Sequence, residues 1–127
     1  MENEALSILK IKDLLIVSVP TEPDDKTITE LQDKVLTALG LYHTKGLILD
    51  LSLVEVVDSF FARTIGETAQ MVRIMGGQIA IAGMRPSIAI TCALLGFSLG
   101  NVLTALNLDM AIDMIENAVE KGHNFEF

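Results

Sequence analysis

A serine at the start of a predicted helix is the residue of this sequence best suited to chemistry. The apolar run 46–51 leads into a more polar segment that ends in Asp58 and Ser59, and a helical pattern begins there. The first N–H groups of a helix have no partner inside the helix, and the helix dipole is positive at this end. Such a position suits a capping side chain or a phosphate group. Either Asp58 or Ser59 is therefore a candidate cap, and Ser59 is also a candidate phosphate acceptor.

The neighbours of Ser59 make a regulatory phosphate a real alternative to the helix cap that the residues alone favour. Phe60 and Phe61 follow it directly and would form an apolar patch if both were exposed. A phosphate on serine adds a charge of about −1.5 to −2 and three strong hydrogen-bond acceptors. It would suit the helix terminus and would disrupt a partner packed against Phe60. The alternative is a simple helix cap, a role that contributes about 1 kcal/mol.

Three carboxylates could form a different kind of phosphate-accepting centre. Asp24 and Asp25 precede the first predicted helix, and Asp50 lies within a buried strand. Receiver-type domains use an acidic pair and a further Asp to bind Mg²⁺ through oxygen ligands. Such domains also need a Lys after the last strand, and the sequence has none between Lys45 and Lys121. A receiver-like aspartyl phosphoacceptor is therefore the less favoured alternative.

Nucleophilic catalysis and metal binding are not indicated. The single cysteine, Cys92, lies in an apolar stretch, and His43 and His123 stand apart from it in sequence, so no motif supplies a base for a nucleophile. The glycine-rich phosphate loops and the nucleophile elbow of hydrolases are absent as well. We therefore predict that the protein is not an enzyme and that it has no catalytic residue, no bound metal and no cofactor.

Two hydrophobic periodicities define the elements that position Ser59. The β-like segments 6–11 and 14–19 are separated by Lys12 and Asp13, which predicts a hairpin. Helical patterns then alternate with short apolar strands: helices 25–39, 59–75, 87–95 and 109–119, and strands 47–51, 78–83 and 102–105. This order predicts an α/β fold with a mixed sheet, an N-terminal hairpin, later strands parallel and about four helices.

The predicted topology places two loops side by side. Parallel strands joined by a helix have their carboxyl ends at the same edge of the sheet, where ligands of open α/β sheets bind. Asp58 and Ser59 follow one such strand, and Arg85, Pro86 and Ser87 follow the next. We therefore expect a partner or switch surface around Ser59, formed by Asp58, Phe60, Arg85, Pro86 and Ser87.

Length, charge and hydropathy limit the classes of partner. With 127 residues the chain is predicted to be a single domain, 1–127, with an ordered core over about 5–119 and a tail over 120–127. No apolar run approaches the roughly 20 residues of a membrane span. The net charge of −8 disfavours nucleic acid and anionic membranes as partners. The acidic start of the chain is unlike a signal peptide, so we expect a cytoplasmic location.

Two segments of the sequence resemble a known family. Residues 47–59, which end in Asp58 and Ser59, are similar to the strand and the D-S phosphorylation motif of the STAS domain (sulfate transporter and anti-sigma factor antagonist). Residues 83–89 are similar to the G-[IM]-[RQ]-P segment of the stressosome branch, and 94–96 and 103–106 fit its next helix and short strand. The resemblance covers nearly the whole chain, and it is greatest to the single-domain scaffold proteins of sigma-B-type stress regulation.

The resemblance implies a mechanism without catalysis by this chain. Ser59 would be phosphorylated by a serine/threonine kinase that the unmodified scaffold sequesters and the phosphorylated scaffold releases, and a phosphatase would reset Ser59. R-type STAS paralogues with sensory domains would join the chain in a large assembly. Thr91 matches a second phosphorylated position of those paralogues, although its apolar neighbours favour a packing role. The alternative within the family is an anti-sigma factor antagonist that binds an anti-sigma kinase as a small monomer or dimer.

Overall fold

A computed structural model describes residues 6–42, 44–96 and 102–124 of the chain. The strands are β1 (Ser7–Ile11), β2 (Leu14–Ser18), β3 (Gly46–Asp50), β4 (Gln78–Ala82) and β5 (Leu103–Ala105). The helices are α1 (Asp25–Tyr42), α2 (Ser59–Ile74), α3 (Pro86–Leu94) and α4 (Leu108–Asn124). None of the helices within these ranges is long and apolar enough to cross a membrane.

The strands form one mixed sheet in the order β1-β2-β3-β4-β5. β1 is antiparallel to β2, and each later strand is parallel to the one before it. The hairpin turn falls at Lys12 and Asp13 as the sequence predicts, with Lys12 in the left-handed region at φ 54°. The predicted α/β class, the hairpin, the parallel strands and the four helices are thus confirmed.

The sheet is covered on both faces, because successive side chains of a strand point to opposite sides. Leu47 and Leu49 of β3 belong to the larger core, which includes residues of α1, α2 and α3. Ile48 points the other way and packs in the smaller core with Ala111 and Ile115 of α4. All three β3 side chains are fully buried. This arrangement explains why β3 is a continuous apolar run rather than an alternating one.

The last helix is longer than the sequence pattern suggests. Asn107 accepts a hydrogen bond from the Met110 N–H at 2.9 Å, and α4 then runs from Leu108 to Asn124. The predicted tail over 120–127 is therefore helical as far as Asn124. No apolar side chain follows Val119 before Asn124, so the hydrophobic periodicity could not reveal the last turn. Residues 125–127, like His43, lie outside the described residues.

Gly83 fixes the spacing between the two loops at the carboxyl edge of the sheet. It has φ +72°, and a Cβ atom built on it would lie 2.9 Å from the Ser52 Cβ and 3.3 Å from the Ser52 Cα. Its N–H donates to the Ala105 carbonyl at 3.0 Å. The end of β4 can approach the loop that follows β3 this closely because Gly83 has no side chain.

Replacing Gly83 by Ala is expected to destabilise the protein more than the same change at Gly76. Both residues have positive φ, where a side chain costs about 1–2 kcal/mol. No atom lies within 4 Å of a Cβ at Gly76, whereas at Gly83 the added methyl overlaps the Ser52 Cβ and crowds its Cα, which adds about 1–3 kcal/mol. Urea unfolding of Gly83→Ala and Gly76→Ala measures the difference. Equal losses of stability would show that the contact with Ser52 relaxes at no cost.

Candidate phosphorylation and partner-binding site

Asp58, and not Ser59, is the cap of α2. Asp58 has extended backbone angles, φ −133° and ψ −176°, and its Oδ1 accepts a hydrogen bond from the Phe61 N–H at 2.9 Å. Ser59 is the first helical residue, is exposed, and has no hydrogen bond from its hydroxyl to any residue that the structure describes. Of the two candidate caps, Asp58 is therefore the one that caps α2, and the Ser59 hydroxyl has no structural role.

The loop between β3 and α2 is held in place by backbone hydrogen bonds. Leu51 N–H donates to the Ala82 carbonyl at 2.9 Å, which joins the loop to β4. Glu55 N–H donates to the Thr21 carbonyl at 2.9 Å, which joins it to the segment after β2. The side chain of Val54 is fully buried in the larger core. Ser59 therefore follows an anchored loop, although it is itself exposed.

Arg85 connects the two loops, as their predicted adjacency requires. Its Nε donates to the Ser52 carbonyl at 3.1 Å, and its Nη1 lies 3.7 Å from the Glu55 Oε2. Both side chains of this ion pair are about half exposed, so the pair contributes at most about 1 kcal/mol. Among the described residues, Arg85 bonds to Ser52 and Glu55 of the loop between β3 and α2 and makes no hydrogen bond or ion pair with Ser59. Arg85 thus orders the surface near Ser59 without forming a preformed phosphate pocket.

The start of α3 contains the other predicted site residues. Pro86 is the first helical residue, after Arg85, which has no side-chain capping bond. Pro86 and Ser87 are exposed, and the Ser87 carbonyl accepts a hydrogen bond from the Thr91 hydroxyl at 2.9 Å. Thr91 is half-buried. Its hydroxyl is therefore engaged by its own helix, unlike that of Ser59.

The expected apolar patch of Phe60 and Phe61 is not formed. Phe61 is 2% exposed, because it belongs with Ile65 and Ala69 to the stripe of α2 that packs on the sheet. Phe60 is half-buried and packs against the same core. The condition for such a patch, that both side chains are exposed, is not met because the helical period places Phe61 on the inner face.

Other apolar side chains are exposed in the loop before Ser59 and along α3, and sequence reasoning missed them. We call Leu53, Val56, Ile90 and Leu94 the apolar rim; their exposed fractions are 55%, 58%, 61% and 83%. The first two lie in the loop before Ser59, and the last two share one face of α3 at i, i+4 spacing. The buried face of α3 carries Ile88 and Cys92. The sequence signal for the exposed residues of α3 is that this helix is apolar on all sides, although only one side of it packs against the core.

The groups considered for catalysis have structural roles. Burial raises the pKa of the Cys92 thiol, so little nucleophilic thiolate forms. Asp24 accepts the Thr27 N–H at 2.8 Å, and hydrogen bonding to Thr27 lowers the pKa of the Asp24 carboxyl. Asp50 accepts the Ser52 N–H at 3.0 Å. Within the described part of the chain no three His, Cys, Asp or Glu residues are grouped as metal ligands, so a receiver-like acidic centre is not assembled there.

Comparisons with known protein sequences agree with this architecture. The STAS domain family matches residues 5–117. Among curated relatives from Bacillus subtilis (strain 168), the RsbT co-antagonist protein RsbRA is 29% identical over 89 residues, 70% of this chain and 32% of the relative. The RsbT co-antagonist protein RsbRD is 30% identical over 97 residues, 76% of this chain and 35% of the relative. The chain thus spans about a third of the length of these relatives.

Solved structures show the same fold. A serine-to-glutamate variant of Moorella thermoacetica RsbS has a TM-score of 0.82 and 29% identity, and the match covers 92% of this chain and 99% of that one. A chain of the stressosome, described as a signal integration and transduction hub, has a TM-score of 0.75 and 30% identity, with 88% and 97% covered. The anti-sigma factor antagonist SpoIIAA, at TM-score 0.68 and 13% identity with 88% and 98% covered, shares the fold alone.

These matches confirm the resemblance drawn from residues 47–59 and 83–89, and they extend it over almost the whole described structure. The curated relatives are named as RsbT co-antagonist proteins, and one of the similar solved structures is of the stressosome. The five-stranded mixed sheet with four helices is the architecture of this group. This chain belongs to the STAS domain family.

Proposed function

We propose that this protein is a non-enzymatic phosphoswitch and scaffold of a bacterial stressosome, with Ser59 as the phosphate acceptor. The observation that carries the proposal is the separation of roles at the start of α2. Asp58 caps the helix through the Phe61 N–H, so the exposed Ser59 hydroxyl is free to react. A kinase could modify Ser59 without breaking a hydrogen bond on which α2 depends.

A phosphate on Ser59 would change the charge of this edge more than its fold. The helix dipole favours an anion there by about 0.3–1 kcal/mol. The neighbouring Asp58 and the nearby Glu55 carboxylates are already negative, and Arg85 offsets the latter only in part. A partner packed on the apolar rim would therefore meet a strongly acidic, hydrated group beside it. Loss of that partner is the expected output of the switch.

The partners follow from the proteins that this chain resembles. Their names connect them to antagonism of RsbT and to the stressosome. For this chain we propose a serine/threonine kinase as the sequestered partner, R-type STAS paralogues with sensory domains as assembly partners, and a phosphatase that resets Ser59. The acidic composition supports protein partners rather than nucleic acid or membrane, and we place the assembly in the cytoplasm. Thr91, whose hydroxyl already binds the Ser87 carbonyl, is the second candidate acceptor.

An anti-sigma factor antagonist is the second candidate function, because SpoIIAA shares the fold. Both proposed functions would use phosphorylation of Ser59, so the size of the complex distinguishes them. Mixed with an R-type paralogue, a scaffold is expected to form a particle of many subunits in sedimentation velocity. An antagonist would stay a monomer or dimer in the same mixture and would instead form a small complex with an anti-sigma kinase.

Incubation with the cognate kinase and ATP is expected to add one phosphate, on the peptide that contains Ser59. Intact-mass measurement followed by peptide mapping locates it. Ser59→Ala should abolish incorporation, whereas the matched variant Thr91→Ala should keep it, because the Thr91 hydroxyl is half-buried and engaged. If Ser59→Ala still incorporates phosphate, another residue is the phosphate acceptor.

The charge on Ser59 is expected to control capture of the kinase. Ser59→Asp adds a negative charge beside Asp58 and should weaken kinase binding by about tenfold or more, which is about 1.4 kcal/mol. Ser59→Ala should bind like the wild-type protein and should not release the kinase when ATP is added. Binding is measured by pull-down and titration with the purified kinase. Equal affinities of Ser59→Asp and wild type would rule out the switch.

A further inference from the structure

A groove of about 570 Å³ lies between α4 and the β1–β2 hairpin. It exists because α4 packs over β3, β4 and β5 and leaves the same face of β1 and β2 incompletely covered. The hairpin turn and Lys45, which line the groove, are at the amino ends of the parallel strands. Ser59 follows the carboxyl end of β3, at the opposite edge of the sheet. The groove is therefore separate from the proposed phosphorylation site.

The floor of the groove is apolar. Leu9 and Ile11 of β1 lie opposite Ile16 and Leu14 of β2 in the antiparallel register. Directly opposed residues point to the same face, so all four side chains are on the α4 side of the sheet. Ile16 and Leu14 are 6% and 7% exposed, whereas Leu9 and Ile11 are 53% and 44% exposed. An apolar strip of β1 is thus left uncovered beside the groove.

One side of α4 is acidic along most of the helix. Its four exposed carboxylates follow one another at i, i+4, i+7 and i+11 spacing: Asp109, Asp113, Glu116 and Glu120. Residues three or four positions apart are neighbours on one side of a helix, and we call this side the acidic flank. Glu116 and Glu120 line the groove, so the acidic flank is the side of α4 that borders it. None of the four carboxylates forms an ion pair with a side chain in the described part of the chain.

The positive charges of the groove do not neutralise the acidic flank. Lys12 and Lys45 line the groove only at its hairpin end. The Lys45 Nζ lies 3.9 Å from the Asp13 Oδ2, so Asp13 already offsets part of this positive charge. Neither lysine forms an ion pair with Glu116 or Glu120. Because like charges at i, i+4 spacing repel each other, the acidic flank is suited to basic groups supplied from outside.

The uncovered part of the sheet is about as wide as one helix. The contacts of α4 are centred on β4, with β3 and β5 on either side. Packed helices lie about 8–10 Å apart, which equals about two strand spacings. A second helix beside α4 would therefore lie over β2 and β1. These strands have five residues each and span about 17 Å, a length that about three turns of helix would match.

We propose that this groove binds an amphipathic helix of a protein partner, with Lys or Arg residues along the side that faces α4. Apolar side chains of the bound helix at i, i+3, i+4 and i+7 cover Leu9 and Ile11. Its basic side chains contact the acidic flank. The shape fits, because one convex helix fills one concave groove. The charges fix the chemistry of the partner, since a helix with an acidic side here would be repelled by α4.

This inference goes beyond the proposed function and does not depend on phosphorylation. Ser59 lies at the carboxyl edge of the sheet, and the hairpin end of the groove lies at the amino edge. Ser59→Asp should therefore bind the helix with the affinity of the wild-type protein. A groove that binds no helix would leave the kinase switch untouched, and a chain that is not phosphorylated would leave the groove untouched.

Two synthetic peptides of about 18 residues, long enough to form a helix, test the charge pattern. The first has Leu at i, i+3, i+4 and i+7 and Lys along one side of the Leu stripe, and in the second Glu replaces each Lys. Fluorescence anisotropy with dye-labelled peptides in physiological salt is expected to show that wild type binds the Lys peptide about tenfold or more tightly than the Glu peptide.

The double variant Glu116→Lys, Glu120→Lys should reverse this preference, because its α4 wall is then basic. The control Glu30→Lys, Asp33→Lys makes the same change in net charge on the exposed surface of α1, so it should keep the wild-type preference. A wild-type protein that binds neither peptide overturns the proposal. A preference that survives reversal of Glu116 and Glu120, or that the α1 control also reverses, overturns it as well.

The apolar strip is tested by a second matched pair. Leu9→Ser removes apolar surface that the bound helix covers, and it should weaken binding of the Lys peptide by about fivefold. Ile74→Ser, where the side chain is 78% exposed at the end of α2, should bind like wild type. Equal binding by both variants contradicts the proposal. A wild-type dimer in sedimentation velocity that Leu9→Ser dissociates would show that a second copy occupies the groove, which also overturns it.

Discussion

The burial of β3 on both faces is the constraint on which the rest of the structure depends. Leu47 and Leu49 fill one core and Ile48 the other, so three helices must cover one face of the sheet and α4 the other. A strand enclosed in this way can leave the sheet only at its ends. The chain therefore emerges after Asp50 at the carboxyl edge, where Leu51 still binds the β4 backbone. The position of Ser59 follows from this burial and not from any contact of its own.

The residues around Ser59, the proposed phosphate acceptor, make the structural contacts at the start of α2. Asp58 caps α2, Val54 anchors the loop in the core, and Arg85 joins the loop to α3. Each of these contacts would survive a change in the charge of Ser59. A residue that is to be modified reversibly benefits from this separation, because its two states then differ little in folding free energy. A change in the charge of Ser59 can therefore act mainly on the binding of a partner.

Much of the fold could be predicted because its signals are local. The Lys12-Asp13 turn, the helical periods and the buried strands gave the hairpin and the order of elements. The adjacency of the Ser59 and Arg85 loops followed from the rule that parallel strands end at one edge. Whether Phe60 and Phe61 are both exposed did not follow, since two adjacent aromatic residues fit an inner or an outer face until the helix phase is known.

The exposed apolar surfaces could not be predicted from the sequence, for a related reason. Ile90 and Leu94 are as apolar as Ile88 and Cys92, and only the packing of α3 decides which pair is exposed. The groove beside Ile11 depends on how far α4 extends over the sheet, which no residue pattern encodes. The sequence therefore predicted the edge of the sheet at which the Ser59 and Arg85 loops meet, but not the apolar rim.

The parallel alignment of β2 to β5 gives the domain a polarity along its strands. A strand of five residues spans about 17 Å, whereas electrostatic interactions in physiological salt are screened over about 8 Å. A charge at the Ser59 edge therefore has only a weak electrostatic interaction with groups at the hairpin edge. A change of charge at the carboxyl edge can therefore alter binding there while the electrostatic environment of the hairpin edge stays nearly constant.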